Sequence, residues 1–220
     1  NVFEEMKLSI DAMLVKLATN EKIFNEVTDY LFDLLEKHSL FQASEYLAIK
    51  VLTQNTCTVN DDFAKQLESY RSMKKGNTAP DTVFSGDVLK GGSSIKTPKR
   101  LSDIQSAYKV VVFGASWCPK CTEELSQLLP LYEKWKSKGV EVVFVSLDTD
   151  EALFKGFTSI FPFISACDYT KWENQAAKDY YVFATPTMFL LDTDHKILLR
   201  PNSVKQIDAW FDYALADKKD

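Results

Sequence analysis

The stretch KVVVFGASWCPKCTEELSQL, residues 109–128, decides how this chain reads. Lys109 to Phe113 open a β-branched apolar run of the kind found in a buried central strand. Pro119 suits the first turn of a following helix. From there Leu125, Leu128, Leu129, Tyr132 and Trp135 share one helical face, up to the natural terminator Gly139. Pro130 inside that helix predicts a kink. Cys118 and Cys121 sit at the junction of strand and helix, and three roles are open to them: a redox pair, a pair of metal ligands, or two buried thiols.

A structural zinc needs four ligands. The sequence has no second C-x-x-C and no paired histidines, and Cys57, Cys167, His38 and His195 are single and far apart along the chain. Placement argues against inert thiols. A sulfur at Cys118 faces the free N–H groups and positive dipole end of the helix, both of which stabilise a thiolate. Cys121 lies on the same face one turn later, where it can attack a mixed disulfide. Lys120 adds positive charge where its side chain points toward the sulfurs.

Working outward toward the C-terminus, the pattern alternates. VEVVFVSLD (140–148) reads as a second buried strand, DEALFKGFTSI (150–160) as a helix and FPFISACD (161–168) as a short strand. KWENQAAKDYYV (171–182) reads as a helix. TPTMFLLDTDHKILLR (185–200) reads as two strands around a turn, with His195 exposed in it. SVKQIDAWFDYALA (203–216) reads as a closing helix that Ser203 caps. The order β-α-β then β-β-α predicts an α/β sheet sandwiched by helices. Cys167, at a strand end beside Asp168, reads as a small core thiol.

Toward the N-terminus the pattern is helical. Phe3, Met6, Ile10, Met13, Leu14 and Leu17 recur at helical spacing, as do Ile23, Phe24, Val27, Leu31, Leu34 and Leu35. Phe41, Tyr46, Leu47, Ile49 and Val51 form a third stretch. Asn60 and two aspartates cap a fourth helix carrying Phe63 and Leu67. Such stripes read as core rather than as a cofactor box. His38 reads as a helix-end residue and Cys57 as an unpaired thiol. The Gly-, Pro- and Ser-rich stretch from Lys74 to Pro98 then breaks the pattern, with a hairpin expected at Gly91-Gly92. The predicted domains are a small helical bundle, residues 1–76, and an α/β domain, residues 77–220.

Composition bounds the function. The 220 residues are 45% hydrophobic and 26% charged, as in an ordinary globular protein. A net charge of −5 argues against nonspecific nucleic-acid binding, and Lys218 and Lys219 read as a solvated tail. No apolar run reaches the roughly 18 residues a membrane span needs. The chain opens without an initiator Met, a basic n-region or an apolar h-region, which suggests a trimmed or mature fragment; a removed signal peptide or lipid anchor would leave no trace in it. Four cysteines are too few for a disulfide-stapled scaffold of this length.

ASWCPKC preceded by VVVF and followed by ATPTMFLLD resembles the thioredoxin superfamily. GNTAPD, LSDI and the trailing TEEL are more similar to its extracytoplasmic TlpA/ResA-type branch. The resemblance covers about residues 77 to 217. It implies a thioredoxin-like fold, a central mixed sheet flanked by helices, here preceded by the all-α domain. That arrangement resembles helical extensions in some Bacteroidetes-type envelope proteins.

The resemblance implies that Cys118 is the attacking thiolate, Cys121 the resolving thiol, and Pro186 a cis-proline against the sulfurs. Trp117, Pro119, Lys120, Thr185 and Pro186 become the substrate-contacting residues. Thioredoxin's buried acid on the strand is replaced here by Val112. Glu124 matches instead the buried helix glutamate of the extracytoplasmic branch, a candidate proton relay to Cys121. The implied activity is thiol–disulfide oxidoreductase, leaning to reductase, in the periplasm or cell envelope. Its partners are a protein disulfide and a thiol electron donor, and the dithiol replaces any organic cofactor or metal. Two other readings stay open: a redox-sensing or partner-binding module, and a peroxiredoxin-like peroxidase suggested by APD and LSD.

Overall fold

The computed structural model describes residues 2–37, 40–53, 68 and 71–214. His38, Cys57, Phe63, Leu67, Lys218 and Lys219 lie outside the described residues. The chain divides into two compact units, residues 1–74 and 75–220.

In the first unit, α1 (Val2–Leu17), α2 (Glu21–Lys37) and α3 (Phe41–Thr53) close on a core of Ile10, Leu14, Phe24, Phe32, Leu35, Leu47 and Val51. Ala43 and Ala48 are buried on α3, where small side chains let helices approach closely. The inward face of α2 is rotated from the expected stripe. Ile23 and Leu34 are exposed, while Thr28 and Phe32 are buried. Thr28 is tolerated there because its hydroxyl donates to the Phe24 carbonyl at 2.8 Å. Asp11 of α1 accepts from the Tyr46 hydroxyl at 2.8 Å and pairs with Lys50 at 3.0 Å, tying α1 to α3.

The second unit is built on a seven-stranded sheet: β1 (Asp87–Lys90), β2 (Ser93–Ser94), β3 (Tyr108–Gly114), β4 (Val140–Ser146), β5 (Ile164–Cys167), β6 (Thr187–Leu191) and β7 (Ile197–Leu199). Its spatial order is β2-β1-β5-β4-β3-β6-β7. β3, β4 and β5 run parallel, and β1 and β6 add antiparallel neighbours on either side. The expected hairpin at Gly91-Gly92 joins β1 to β2. Residues Gly76 to Thr78 line the β7 edge, exchanging backbone hydrogen bonds with Ile197, and so cover one rim of the sheet.

Both faces of the central strands are buried, as a parallel core requires. On one face Val110, Val112, Val142 and Phe144 pack under Leu125, Leu128, Tyr132, Trp135, Phe154, Ile207 and Phe211. These come from α4 (Pro119–Leu128), α5 (Tyr132–Ser137), α6 (Glu151–Thr158) and α8 (Val204–Ala214). On the other face Phe113 meets Tyr180 at 5.2 Å between ring centroids, and Tyr180 meets Phe189 at 5.3 Å. The Tyr180 hydroxyl is satisfied by the Pro80 carbonyl at 2.9 Å.

Three expectations need correction. Pro130 does not merely kink its helix: α4 stops at Leu128, a 3-10 turn spans Leu129–Leu131, and α5 starts afresh. A proline has no N–H for the helical ladder and its ring clashes one turn back. The segment 171–182 is not one helix. Lys171–Glu173 form a 3-10 turn and α7 covers only Gln175–Asp179. Asn174 separates them, leaving the helical region at φ −51°, ψ 125° to cap α7 by accepting from Ala177 N–H at 3.0 Å. Tyr181, at φ +51°, closes it. His195 is half-buried rather than exposed, in a left-handed turn between β6 and β7.

Candidate active site

Cys118 is the N-cap of α4. Its φ of −96° and ψ of 107° are extended, and its sulfur accepts from the Cys121 N–H at 3.1 Å. This is a local consequence of sequence: the strand ends at Gly114, four residues turn, and Pro119 starts the helix. Cys118 and Cys121 are joined as a disulfide with Cα atoms 5.2 Å apart. Cys118 retains 6% exposure and Cys121 none, so an incoming sulfur can reach only Cys118. Gly114 makes room for the buried partner: a Cβ there would come to 3.1 Å from the Cys121 sulfur and 3.0 Å from the Phe144 ring.

The Thr185–Pro186 peptide is cis, and the Thr185 carbonyl oxygen lies 3.6 Å from the Cys118 sulfur. β6 delivers it there by pairing antiparallel with β3, with Thr187 opposite Phe113. Thr185 and Pro186 are half-buried. Trp117 is 46% exposed, edge-on to Trp172 at 6.5 Å and under the Lys171 ammonium at 5.5 Å. Pro119 is exposed at the helix start. The structure thus brings Trp117, Cys118, Pro119, Thr185 and Pro186 to one rim.

Glu124 is buried, with its side chain only 3% exposed, but its carboxylate makes no hydrogen bond to Cys121. One carboxylate oxygen accepts from Val204 N–H at 2.7 Å, at the start of α8, and the other pairs with Lys120 at 3.1 Å. Lys120 also pairs with Glu123 at 3.0 Å. Its ammonium is therefore engaged by carboxylates on its own helix rather than by the sulfurs.

Sequence reasoning missed a buried acid directly behind the active-site loop. Asp148, at the end of β4, is 1% exposed. Its carboxylate accepts from Ser116 N–H at 3.1 Å, Ser116 Oγ at 2.7 Å and Ser146 Oγ at 2.7 Å. The signal available was an aspartate closing an apolar strand, where an exposed turn residue is the usual reading. Cys167 lies against the same place, its thiol 3.4 Å from the Asp148 carbonyl.

Burial pushes the Cys167 thiol up to about 11. Folded protein treated with iodoacetamide at neutral pH is expected to leave the Cys167 peptide unmodified by mass spectrometry, and urea is expected to expose it. Modification of that peptide in the folded state would show a mobile or reactive thiol instead. Among the described residues no cluster of His, Cys, Asp and Glu could hold a metal, and no helix is long and apolar enough to cross a membrane.

A family model described as AhpC/TSA matches residues 75–200. The thiol-disulfide oxidoreductase ResA of Bacillus thuringiensis subsp. konkukian is 30% identical over 126 residues, covering 57% of this chain and 68% of its own. Human nucleoredoxin is 29% identical over 131 residues, and the match covers 57% of this chain but only 29% of nucleoredoxin's length. Among solved structures, a thioredoxin-like protein from Bacteroides caccae superposes with a TM-score of 0.70 at 16% identity, covering 96% of this chain and 77% of that one. That likeness establishes the fold: a thioredoxin-like mixed sheet flanked by helices, which follows the N-terminal helices in the chain.

Proposed function

This chain belongs to the AhpC/TSA family, and we propose that within it the protein is a thiol–disulfide oxidoreductase acting on protein disulfides. One observation carries the reading. An accessible sulfur at a helix N-cap is paired with a buried one a turn later, beside a cis-proline peptide whose carbonyl touches it. In the reduced form the Cys118 thiolate attacks one sulfur of a substrate disulfide. A new S–S bond forms, the old one breaks, and one substrate thiolate leaves. Cys121 then attacks the Cys118 sulfur and expels the second substrate thiolate. Two electrons pass to the substrate, and the enzyme ends as the Cys118–Cys121 disulfide. A thiol donor restores it, so the turnover calls for no further cofactor.

In the same reading Trp117, Pro119, Thr185 and Pro186 bind substrate, the exposed backbone beside Pro186 offering an edge for an extended peptide. Lys120 and Val204 N–H hold the Glu124 carboxylate, which has no direct hydrogen bond to Cys121, so in this reading a proton relay between Glu124 and Cys121 runs through an intervening water. The ResA relative is named a thiol-disulfide oxidoreductase, which supports the activity, and within this reading the protein is a reductase of the cell envelope. The equilibrium potential of the Cys118–Cys121 couple in glutathione buffers tests this. A value near or below about −250 mV is expected for a reductant. A value of about −120 to −180 mV would make it an oxidant or isomerase. Peroxide consumed without a disulfide substrate would favour the peroxidase reading.

A further inference from the structure

The segment between β5 and α7 is held in an uncommon conformation. Tyr169 at φ 63° and Lys171 at φ 56° both occupy the left-handed region without being glycine. Such backbone persists only where the surroundings hold it, and here they do. The Tyr169 hydroxyl donates to Asp87 of β1 at 2.6 Å, and its ring lies edge-on to Phe154 of α6 at 6.0 Å. The Asp168 carboxylate accepts from Thr170 N–H at 3.1 Å and from Thr170 Oγ at 2.7 Å. Asn174 closes the segment by capping α7.

Held this way, the segment brings two side chains to the active-site rim. Trp172 stands edge-on to Trp117, with ring centroids 6.5 Å apart, and the Lys171 ammonium lies over the Trp117 ring at 5.5 Å. Both indoles keep a large accessible surface, 46% for Trp117 and 37% for Trp172, and contiguous exposed apolar surface marks a place where something docks. Trp117 immediately precedes Cys118, whose sulfur lies 3.6 Å from the Thr185 carbonyl oxygen. The acids of the segment are engaged within it or next to it, Asp168 by Thr170 and Glu173 by Lys178. The two indoles are therefore its recognisable feature.

We infer that Trp172 is a specificity-determining residue, forming with Trp117 a platform for a large apolar side chain next to the substrate's disulfide cysteine. This inference rests on the oxidoreductase reading above and narrows its substrate class to an extended polypeptide with such a neighbour. What covers the platform follows from the chemistry. A substrate sulfur bonded to Cys118 carries its own chain to the residue beside Trp117, and neighbouring Cα atoms are about 3.8 Å apart. Trp172 and Lys171 restrain Trp117 before the substrate arrives, so less side-chain freedom is lost on docking. Indoles are favoured for such contacts because they offer a large, rigid apolar area.

The test uses the reduced full chain and three peptide dimers, each joined by one disulfide, with Leu, Gly or Asp beside the cysteine. Released peptide thiol is followed against peptide concentration, which separates the half-saturating concentration from the limiting rate. Wild type is expected to prefer the Leu peptide over the other two by about tenfold, mainly through the half-saturating concentration. Trp172→Ala is expected to bring the Leu-to-Gly ratio to within about twofold of unity. Lys171→Gly suits the left-handed backbone and so keeps the turn while removing the ammonium from Trp117. It is expected to lower the ratio by about two- to fivefold. The inference is overturned if wild type reduces the Leu and Gly peptides alike, or if the Asp peptide is preferred, which would place recognition on the Lys171 charge. It is also overturned if Trp172→Ala keeps the ratio, as it would by slowing both peptides equally. Failure of wild type to reduce any of the three peptides is the separate result that would overturn the oxidoreductase reading itself, and this inference with it.

Discussion

Cys118→Ser is expected to lower the rate of disulfide reduction by at least about 10³-fold, because no other described sulfur can make the first bond. Cys121 has no exposed surface and Cys167 lies in the core with its thiol pushed up to about 11. Cys121→Ser should fail differently. Cys118 would still attack, with the helix N-terminus stabilising its thiolate, but nothing would resolve the product. The expected result is a covalent enzyme–substrate complex that survives denaturing electrophoresis and vanishes with dithiothreitol. The pair of variants separates roles that a single loss of activity would merge. Equal trapping by both would show that the sulfurs are interchangeable. Trapping by Cys118→Ser alone would reverse the assignment and contradict the burial difference.

Much of this site was legible because its determinants are local. Pro119 fixes a helix start, Cys118 precedes it, and three residues put Cys121 on the same face. The β-branched runs of β3 and β4 likewise report their own burial. The cis state of Pro186 had no such signal in the residues themselves. It followed from resemblance, and the structure shows it. What stayed hidden depends on partners distant in sequence. The inward face of α2 is set by α1 and α3, which favour Phe32 over Ile23. β1 pairs with β5 across 74 to 80 residues, with Asp87 opposite Cys167 and Lys90 opposite Ile164, and no local pattern announces that partner. Lys109 reads as the polar opening of a strand, yet it is buried, paired in register with Leu191 of β6 and sharing a pocket wall with the turn that carries His195. Asp148 reads as the end of a strand, and only the parallel register placing Gly114 beside Ser146 puts it behind the cysteine loop.

That register gives Asp148→Ala a large expected effect on stability as well as on the site. The substitution removes a buried carboxylate and strands three donors: Ser116 N–H, Ser116 Oγ and Ser146 Oγ. Buried donors without acceptors cost about 1–3 kcal/mol each, and hydrogen bonds to a charged group are the stronger kind, so a loss of about 3–5 kcal/mol is expected in urea unfolding. Asp148→Asn keeps one accepting oxygen but turns the other into a donor that faces a hydroxyl. It should fall between, at about 1–2 kcal/mol. Ser116→Ala removes one hydroxyl bond and leaves the backbone bond intact, so it should cost least. Ser116 lies two residues before Cys118, so freeing it should also let the loop depart from the arrangement that aims the sulfur at Thr185. The rate of disulfide exchange should fall at temperatures where each variant is still folded. An Asp148→Ala protein within about 1 kcal/mol of wild type would mean that water replaces the carboxylate at no great cost. A stable loss of rate in Ser116→Ala alone would place the effect on the hydroxyl rather than on the acid that holds it.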